Sequence, residues 1–441
     1  MRLSPAAITC LAISGIYIFI NFFTSSLEFD SSNKIARYLQ NAGGDGIAKF
    51  FFLVITYFGF PVVPVLPVIP LLLLRDKWVP FKITFLFSIS GYIIGFLKVI
   101  YGGPRPWWVG DGVQVFGQCG VTDFGRPSGH AFISAYAFLL LFKFYIYDDQ
   151  SQTYTERIRT EEVEALDEEP TPDLPDIEAR PQKKMLRRST LDRPPKTEWD
   201  SMKTMWLTIG IILSILIGIS RIYLGAHSFE QIFLGWSYAA IFYIFTIYYL
   251  DEQTDNLFLF FLDGRHRNQQ TKVFGTVTAL YILMLTLPLV VSLLTSASRE
   301  ANKKIWVANM LKQCEGGFSQ EFPMDSMSLY LCVMGVITFG MIYGMMFAKH
   351  NIMLISKYLT TSQLILRKLV GLAVFAVIAL VCYYGVPTTN YIVCYLLNLN
   401  ALLLFVAISA YTVLPKLFDM MGLSNNSKVE ELNRNSDYLS Y

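Results

Sequence analysis

Long apolar blocks alternate with short polar ones along most of the chain. Ten blocks, at residues 6–25, 50–74, 80–100, 130–147, 204–225, 229–250, 273–295, 328–348, 368–387 and 390–413, have roughly the 17 to 25 residues a helix needs to cross a hydrocarbon core. In lipid every backbone N–H and C=O must be satisfied within the segment, so Val- and Ile-rich runs of this length read as helices. The pattern predicts an all-α, polytopic membrane bundle with about ten transmembrane helices. The first block follows only Met1 and Arg2. No small-residue cleavage site stands out after it, so it is read as a retained helix rather than a signal sequence.

Composition supports this class. The 441 residues are 53% hydrophobic, 15% aromatic and only 16% charged, too apolar for an ordinary soluble protein of this length. Alternation of the helices puts loops 26–49, 101–129, 226–228, 296–327 and 388–389 on one face. Loops 75–79, 148–203, 251–272 and 349–367 and both termini fall on the other. That second face carries Arg75, Lys77, Arg265, Arg267, Lys272, Lys349, Lys357 and Arg367. The positive-inside tendency makes it cytoplasmic and the first face lumenal or extracellular, although Lys303, Lys304 and Lys312 on an outer loop reduce the contrast. The net charge of +2 comes without a basic domain, so membrane lipids are the expected partners and nucleic acid is not. Oligomeric state is left open.

One stretch breaks the composition. Residues 148–203 pass from an acidic half to a basic end with prolines crowded between Pro170 and Pro195. Low hydrophobicity with dense charge does not sustain a packed core, so this is read as a disordered cytoplasmic insertion. Within it, "RRST" at 187–190 is either a phosphorylation site or plain solvated linker. The organisation expected is a membrane helix and outer loop over 1–49, a helical core over 50–272 that carries the insertion, further helices over 273–414, and a cytoplasmic tail over 415–441.

Candidate chemistry is concentrated in three polar clusters, all on the outer face. The first is "KVIYGGPRP", Lys98 to Pro106, where Lys98 lies in the last turn of its span and the Gly-Gly-Pro run ends the helix before Arg105. Alone, it reads equally as a snorkelling Lys and a headgroup-binding Arg. The second is "FGRPSGHAFI", Phe124 to Ile133. Pro127 suits the first helical position, and Ser128, Gly129 and His130 form a first turn shaped to hold an anion, or else a Ser cap with a surface histidine. The third is "SRIYLGAHSFEQ", Ser220 to Gln231, with Arg221 at one helix end and His227 at the start of the next. Of four histidines, His130 and His227 fall on the outer face, whereas His266 and His350 fall in cytoplasmic loops. Three fixed cations, Lys98, Arg105 and Arg221, join them there, a set suited to a phosphoryl group. Cys10, Cys332, Cys382 and Cys394 lie inside spans. Cys119 and Cys314 lie in outer loops, where they form either a disulfide or two free thiols. No CxxC or Cys/His spacing suggests a metal site.

Lys98/Arg105/Pro106, Pro127–His130 and Ser220/Arg221/His227 resemble the three signature motifs of the type 2 phosphatidic acid phosphatase superfamily, in the family's order, over the spans from about 50 to 250. The resemblance implies a membrane phosphomonoesterase that needs neither metal nor organic cofactor. His227 is then the nucleophile, forming a phosphohistidine, and His130 the general acid and base. Lys98, Arg105, Ser128, Gly129 and Arg221 hold the phosphate.

Many members place an aspartate four residues after the nucleophile; here that place is Gln231, which would orient His227 as a neutral acceptor unless Glu230 takes the role. "SRIYLGAH" and "RPWW" are similar to the glucose-6-phosphatase branch, so the substrate is either a lipid phosphate or a sugar phosphate, with the endoplasmic reticulum as the favoured compartment. Trp107 and Trp108 either rest in the lipid interface or stack on a sugar. Two further readings are a catalytically weak or inactive relative that binds or transports a phosphorylated ligand, and haloperoxidase chemistry, which the membrane setting disfavours.

Overall fold

The computed structural model describes residues 3–44, 46–59, 78–110, 112–117, 119, 123–147, 201–262, 267–314 and 324–348, with scattered positions between 360 and 423. The described residues form a helical bundle without a β-strand. Six helices among them are long and apolar enough to cross a membrane: Pro5–Ser25, Lys82–Tyr101, Ser201–Tyr223, Phe229–Leu257, Val273–Gln313 and Ser328–Phe347. The spans expected at 368–387 and 390–413, most of 50–74, the insertion at 148–200, the tail from 424, and His266 and His350 lie outside the described residues.

Two helices run well past the ends that hydropathy set for them. Helix α1 (Pro5–Gly43) is 39 residues long and starts on a Ser4 cap whose hydroxyl accepts from Ala7 N–H, with Pro5 at the first position. At 1.5 Å per residue it reaches about 58 Å, nearly twice a hydrocarbon core of roughly 30 Å. Residues 26–43, expected as loop, continue the helix because one face of them is covered. Ala36 and Leu39 pack against Val113 and Ile222, and Gln40 donates to the Gln114 and Tyr223 carbonyls at 2.8 Å each.

After α2 (Ile47–Tyr57), α3 (Trp78–Tyr101) and the short α4 (Pro106–Val109) come α5 (Gly129–Leu141), α6 (Ser201–Tyr223), α7 (Phe229–Phe245) and α8 (Asp251–Leu262). Helix α6 takes in residues 201–203, which the sequence had assigned to the insertion. The second long helix, α9 (Arg267–Gln313), has 47 residues and likewise absorbs much of an expected loop. It is followed by α10 (Met324–Cys332) and α11 (Met334–Ala348).

The central core joins α3, α5 and α7 through Ile83, Leu86, Phe87, Ile94, Phe132, Ile133, Tyr136, Leu140, Ala239 and Phe242. At the end of the bundle far from the polar clusters, α5 and α7 both widen into π turns, Phe142–Tyr147 and Thr246–Leu250. There the buried Lys82 pairs with Asp251 and, at 2.8 Å, with Asp255, neutralising a cation that would otherwise be costly inside the bundle.

Cys119 and Cys314 are joined by a disulfide, which fastens the loop before α5 to the end of α9. Peptide mapping of the unreduced protein should recover these two residues on one linked peptide. Alkylation of both thiols in native protein would contradict the bond.

Candidate active site

Helix α3 ends where Gly102, at φ 55°, turns the chain, leaving Lys98 in the last turn and 1% exposed. The last carbonyls of α3 need partners from outside the helix. Arg299 of α9 supplies two of them, donating to Val99 and Ile100 at 2.9 and 2.8 Å. Beyond the turn, Gly103 and Arg126 pair in an isolated antiparallel bridge, and Gly125 N–H donates to the Gly103 carbonyl at 2.9 Å. The first two polar clusters are thereby laid side by side. Gly125 is required for closeness: a Cβ there would lie 2.7 Å from the Pro104 carbonyl oxygen and 2.8 Å from Gln231 Oε1.

Pro127 does not take the first helical position. The Arg126–Pro127 peptide is cis, Ser128 is the cap, with its hydroxyl accepting from Ala131 N–H, and the helix begins at Gly129. His130 is then in the first turn of α5. On the neighbouring helix, Ser228 caps α7 in a capping box with Gln231, and His227 immediately precedes the cap. Ser128 N–H donates to the Gln231 carbonyl at 2.9 Å, so both helices present their N-termini to one spot, a favourable arrangement for an anion.

The three cations reach the same place. Arg105 donates from one terminal nitrogen to the Ala226 carbonyl at 2.9 Å and lies 3.4 Å from His227 Nε2. Lys98 Nζ bonds the Phe124 carbonyl, and its Cε is 3.4 Å from where a Cβ on Gly129 would stand. Arg221, in the last turn of α6, donates to Thr56 Oγ1 of α2 at 2.8 Å. His130 Cδ2 packs close to Gly59 just after α2, and His130 is near enough to His227 to weigh on its titration.

Hydrogen bonding fixes how His227 presents itself. Its Nδ1 is 2.8 Å from the Gly125 carbonyl and 3.2 Å from Gln231 Oε1. Both are acceptors, because Gln231 directs its amide nitrogen at the Pro104 carbonyl, 2.7 Å away. The ring proton is therefore assigned to Nδ1, and Nε2 keeps its lone pair toward Arg105. Burial, and after it the cations Arg105, Arg221 and Lys98, push the His227 pKa well below the ordinary histidine value, so the imidazole is neutral at pH 7. Glu230 does not reach this ring. It accepts from Ser228 Oγ at 2.9 Å and faces Arg126 at 3.8 Å.

Two features were not read from the sequence. Trp107 and Trp108 neither rest in the lipid interface nor offer a stacking face. Both are 0% exposed and pack with Phe124, Trp306, Met310 and Cys314, because α9 continues far enough to cover them. Asp123 sits between two of the cations, 2.9 Å from Lys98 Nζ and 2.5 Å from an Arg105 terminal nitrogen. Burial alone raises the Asp123 pKa, but Arg105 and Lys98 override it and hold the carboxyl well below its ordinary range. One signal was available: with Asp111, it is one of only two acids in the loop 101–129, and buried cations need a counter-ion.

Residues 80–255 match the family model of the PAP2 superfamily. The chain carries a PAP2 superfamily domain. No curated protein and no solved structure matches the chain. The PAP2 domain starts in α3, ends in α8 and contains the signature residues. Thr56, Gly59 and the covering arms of α1 and α9 come from outside it.

Because the Gly125 carbonyl is the nearer acceptor for Nδ1, Gln231→Leu is expected to lower kcat only about ten-fold, in the range typical of orienting groups. A loss of about 10^4, as when a lone orienting aspartate is removed, would show that the backbone acceptor does not hold the tautomer. Turnover of the purified full-length protein measures this.

Proposed function

We propose that the PAP2 domain hydrolyses a phosphomonoester at this seat through a phosphohistidine on His227. The observation that carries this reading is the neutral His227, held through Nδ1 with the Nε2 lone pair turned toward Arg105, at a seat built from three cations and two helix N-termini. His227 Nε2 attacks phosphorus in line as the ester P–O bond breaks, and His130 gives its proton to the departing alcohol oxygen. The bound dianion favours the protonated His130 that this step needs. In the second step His130 takes a proton from water, the hydroxide oxygen bonds to phosphorus, and the P–N bond breaks, returning His227 and releasing phosphate. Lys98, Arg105, Arg221, the Ser128 hydroxyl and the Gly129 N–H stabilise the equatorial oxygens. With side-chain cations supplying the positive charge, the mechanism is written without a metal or organic cofactor.

A lipid phosphate is the substrate class we favour. An apolar cavity of about 200 Å³ lies between α5 and α6, bounded by Phe138, Phe142, Trp206, Leu207, Ile211 and Trp236. Its lining begins at Ala135 and Ser214, about one to two helical turns from His130 and Arg221 along α5 and α6, a distance an acyl chain can cover. A sugar phosphate such as glucose 6-phosphate is the second reading, favoured by Gln231 and the likeness of "SRIYLGAH"; the buried tryptophans remove the stacking face it would have used. The disulfide, together with the basic residues of the opposite loops, supports a lumenal or extracellular seat, in an endomembrane or the plasma membrane.

Phosphate release from phosphatidate, sphingosine 1-phosphate and glucose 6-phosphate tests both levels. Release from the lipids supports the favoured class, release from glucose 6-phosphate alone the second. Ligand binding without release from any of them would favour an inactive relative.

His227→Ala should abolish turnover and covalent phosphate labelling together; surviving turnover removes His227 as nucleophile. Lys98→Ala should leave a folded enzyme with kcat lower by about 10^2 to 10^3, the cost typical of deleting one preorganised donor. Since His227 must be neutral to attack and its pKa is depressed, activity should persist as pH falls through about 6.5, the ordinary histidine value. An acid limb in kcat at or above that value, unshifted by a change of substrate, would contradict a depressed His227.

A further inference from the structure

Asp123 takes no part in the steps above, yet its carboxylate occupies the cations that are to bind the phosphoryl oxygens. One oxygen is 2.9 Å from Lys98 Nζ and the other 2.5 Å from Arg105, so each cation already donates a bond that a ligand oxygen requires. The peptide that follows this carboxylate is fixed at both of its polar groups. The Asp123 carbonyl accepts from Arg105 Nε at 2.8 Å, and Phe124 N–H donates to Ser328 Oγ at 3.0 Å. The anion is thus tethered where a ligand must arrive, which gives it a high effective concentration at the two cations. Its side chain is 18% exposed, against 1% for Lys98 and 2% for Arg105. The two cations, for their part, are buried, and without a counter-ion they would be costly to hold charged while the seat is empty.

We propose that Asp123 is a resident counter-ion that makes the seat selective for doubly charged phosphoryl groups over singly charged anions. The inference rests on the phosphatase reading of the same seat and adds a specificity-determining residue to it. An incoming monoanion offers the cations no more charge than the carboxylate already supplies, so it gains little by displacing or crowding it. A dianion brings twice the charge to the same donors and out-competes a single tethered carboxylate. If the carboxylate stays beside the ligand, the three cations and one carboxylate leave two positive charges, matching a dianion and over-compensated by nothing. Phosphomonoesters in their dianionic form are therefore favoured over phosphodiesters, sulfonates and carboxylates, all of which carry one charge per group.

The test uses full-length protein in detergent at pH 8, hydrolysing p-nitrophenyl phosphate, with methyl phosphate as the dianionic and dimethyl phosphate as the monoanionic competitor. Wild type should prefer methyl phosphate. Asp123→Asn, nearly isosteric and uncharged, should tighten dimethyl phosphate about ten-fold and methyl phosphate less, so that the preference shrinks. Asp123→Glu, which keeps the charge, should retain the wild-type preference. An Asp123→Asn protein with an unchanged preference, or with weaker binding of both anions, would overturn the proposal. Asp123→Ser, read in the same way, stands in if Asp123→Asn does not yield monodisperse protein. Orthovanadate inhibition of wild type separates the two levels: a wild type that turns over and binds vanadate while the variants leave the preference unmoved sinks the counter-ion role alone. A wild type that does neither sinks the phosphatase reading beneath it.

Discussion

Two parallel helices brought together at their N-termini are the constraint on which the seat depends. Helices α5 and α7 start at the same end of the bundle, and Ser128 N–H, at the cap of α5, bonds the Gln231 carbonyl in the first turn of α7. The approach is close enough that a Cβ on Gly235 would stand 2.7 Å from the Ser128 carbonyl oxygen. First-turn N–H groups lack intrahelical acceptors, and each helix adds a partial positive charge at that end. Placing two such ends together would be unfavourable without something negative nearby. The arrangement therefore calls for an anion, and the side chains around it, two imidazoles and three cations, are those suited to a phosphoryl group.

Around this pair the rest of the bundle acts as support for one loop. The described residues between 102 and 128 carry Arg105 and Gly125, which meet His227, and apart from the short α4 they form no helix of their own. They are held by Asn21 of α1, which accepts from Arg126, and by Gln40, which pairs with Gln114. On the other side Asn309 and Gln313 of α9 donate to the Trp108 and Trp107 carbonyls, and Ser328 of α10 accepts from Phe124. Backbone groups that a helix would satisfy internally are thus satisfied by side chains from neighbouring helices.

The helical class and the three polar clusters were legible in the sequence because each follows from local chemistry: apolar length gives a span, and a Gly or Pro break with a cation gives a helix end. What was not legible depends on contacts distant in sequence. Hydropathy ends α1 near residue 25 because the next residues are polar, yet Ala36 and Leu39 pack with Val113 and Ile222, and Gln40 bonds Gln114 and Tyr223, 74 and 183 residues further along the chain. Trp107 and Trp108 looked interfacial for the same reason, since nothing local announces that Trp306 and Met310 will cover them. Pro127 was given a helix-starting position that its neighbour Ser128 takes as cap. The role of Gly125 as the nearer acceptor for His227 involves a backbone carbonyl, which no side-chain motif can reveal.

The reach of α9 changes what counts as the folding unit. Arg299 covers the end of α3, Trp306 shields the paired tryptophans, and Cys314 closes the covalent link, yet all three lie beyond residue 255, where the family match stops. A fragment cut to the matched segment would keep every signature residue while uncovering the paired indole rings and releasing the Val99 and Ile100 carbonyls at the end of the helix that carries Lys98. The signature residues and part of the scaffold packed around them are encoded in different stretches of the gene.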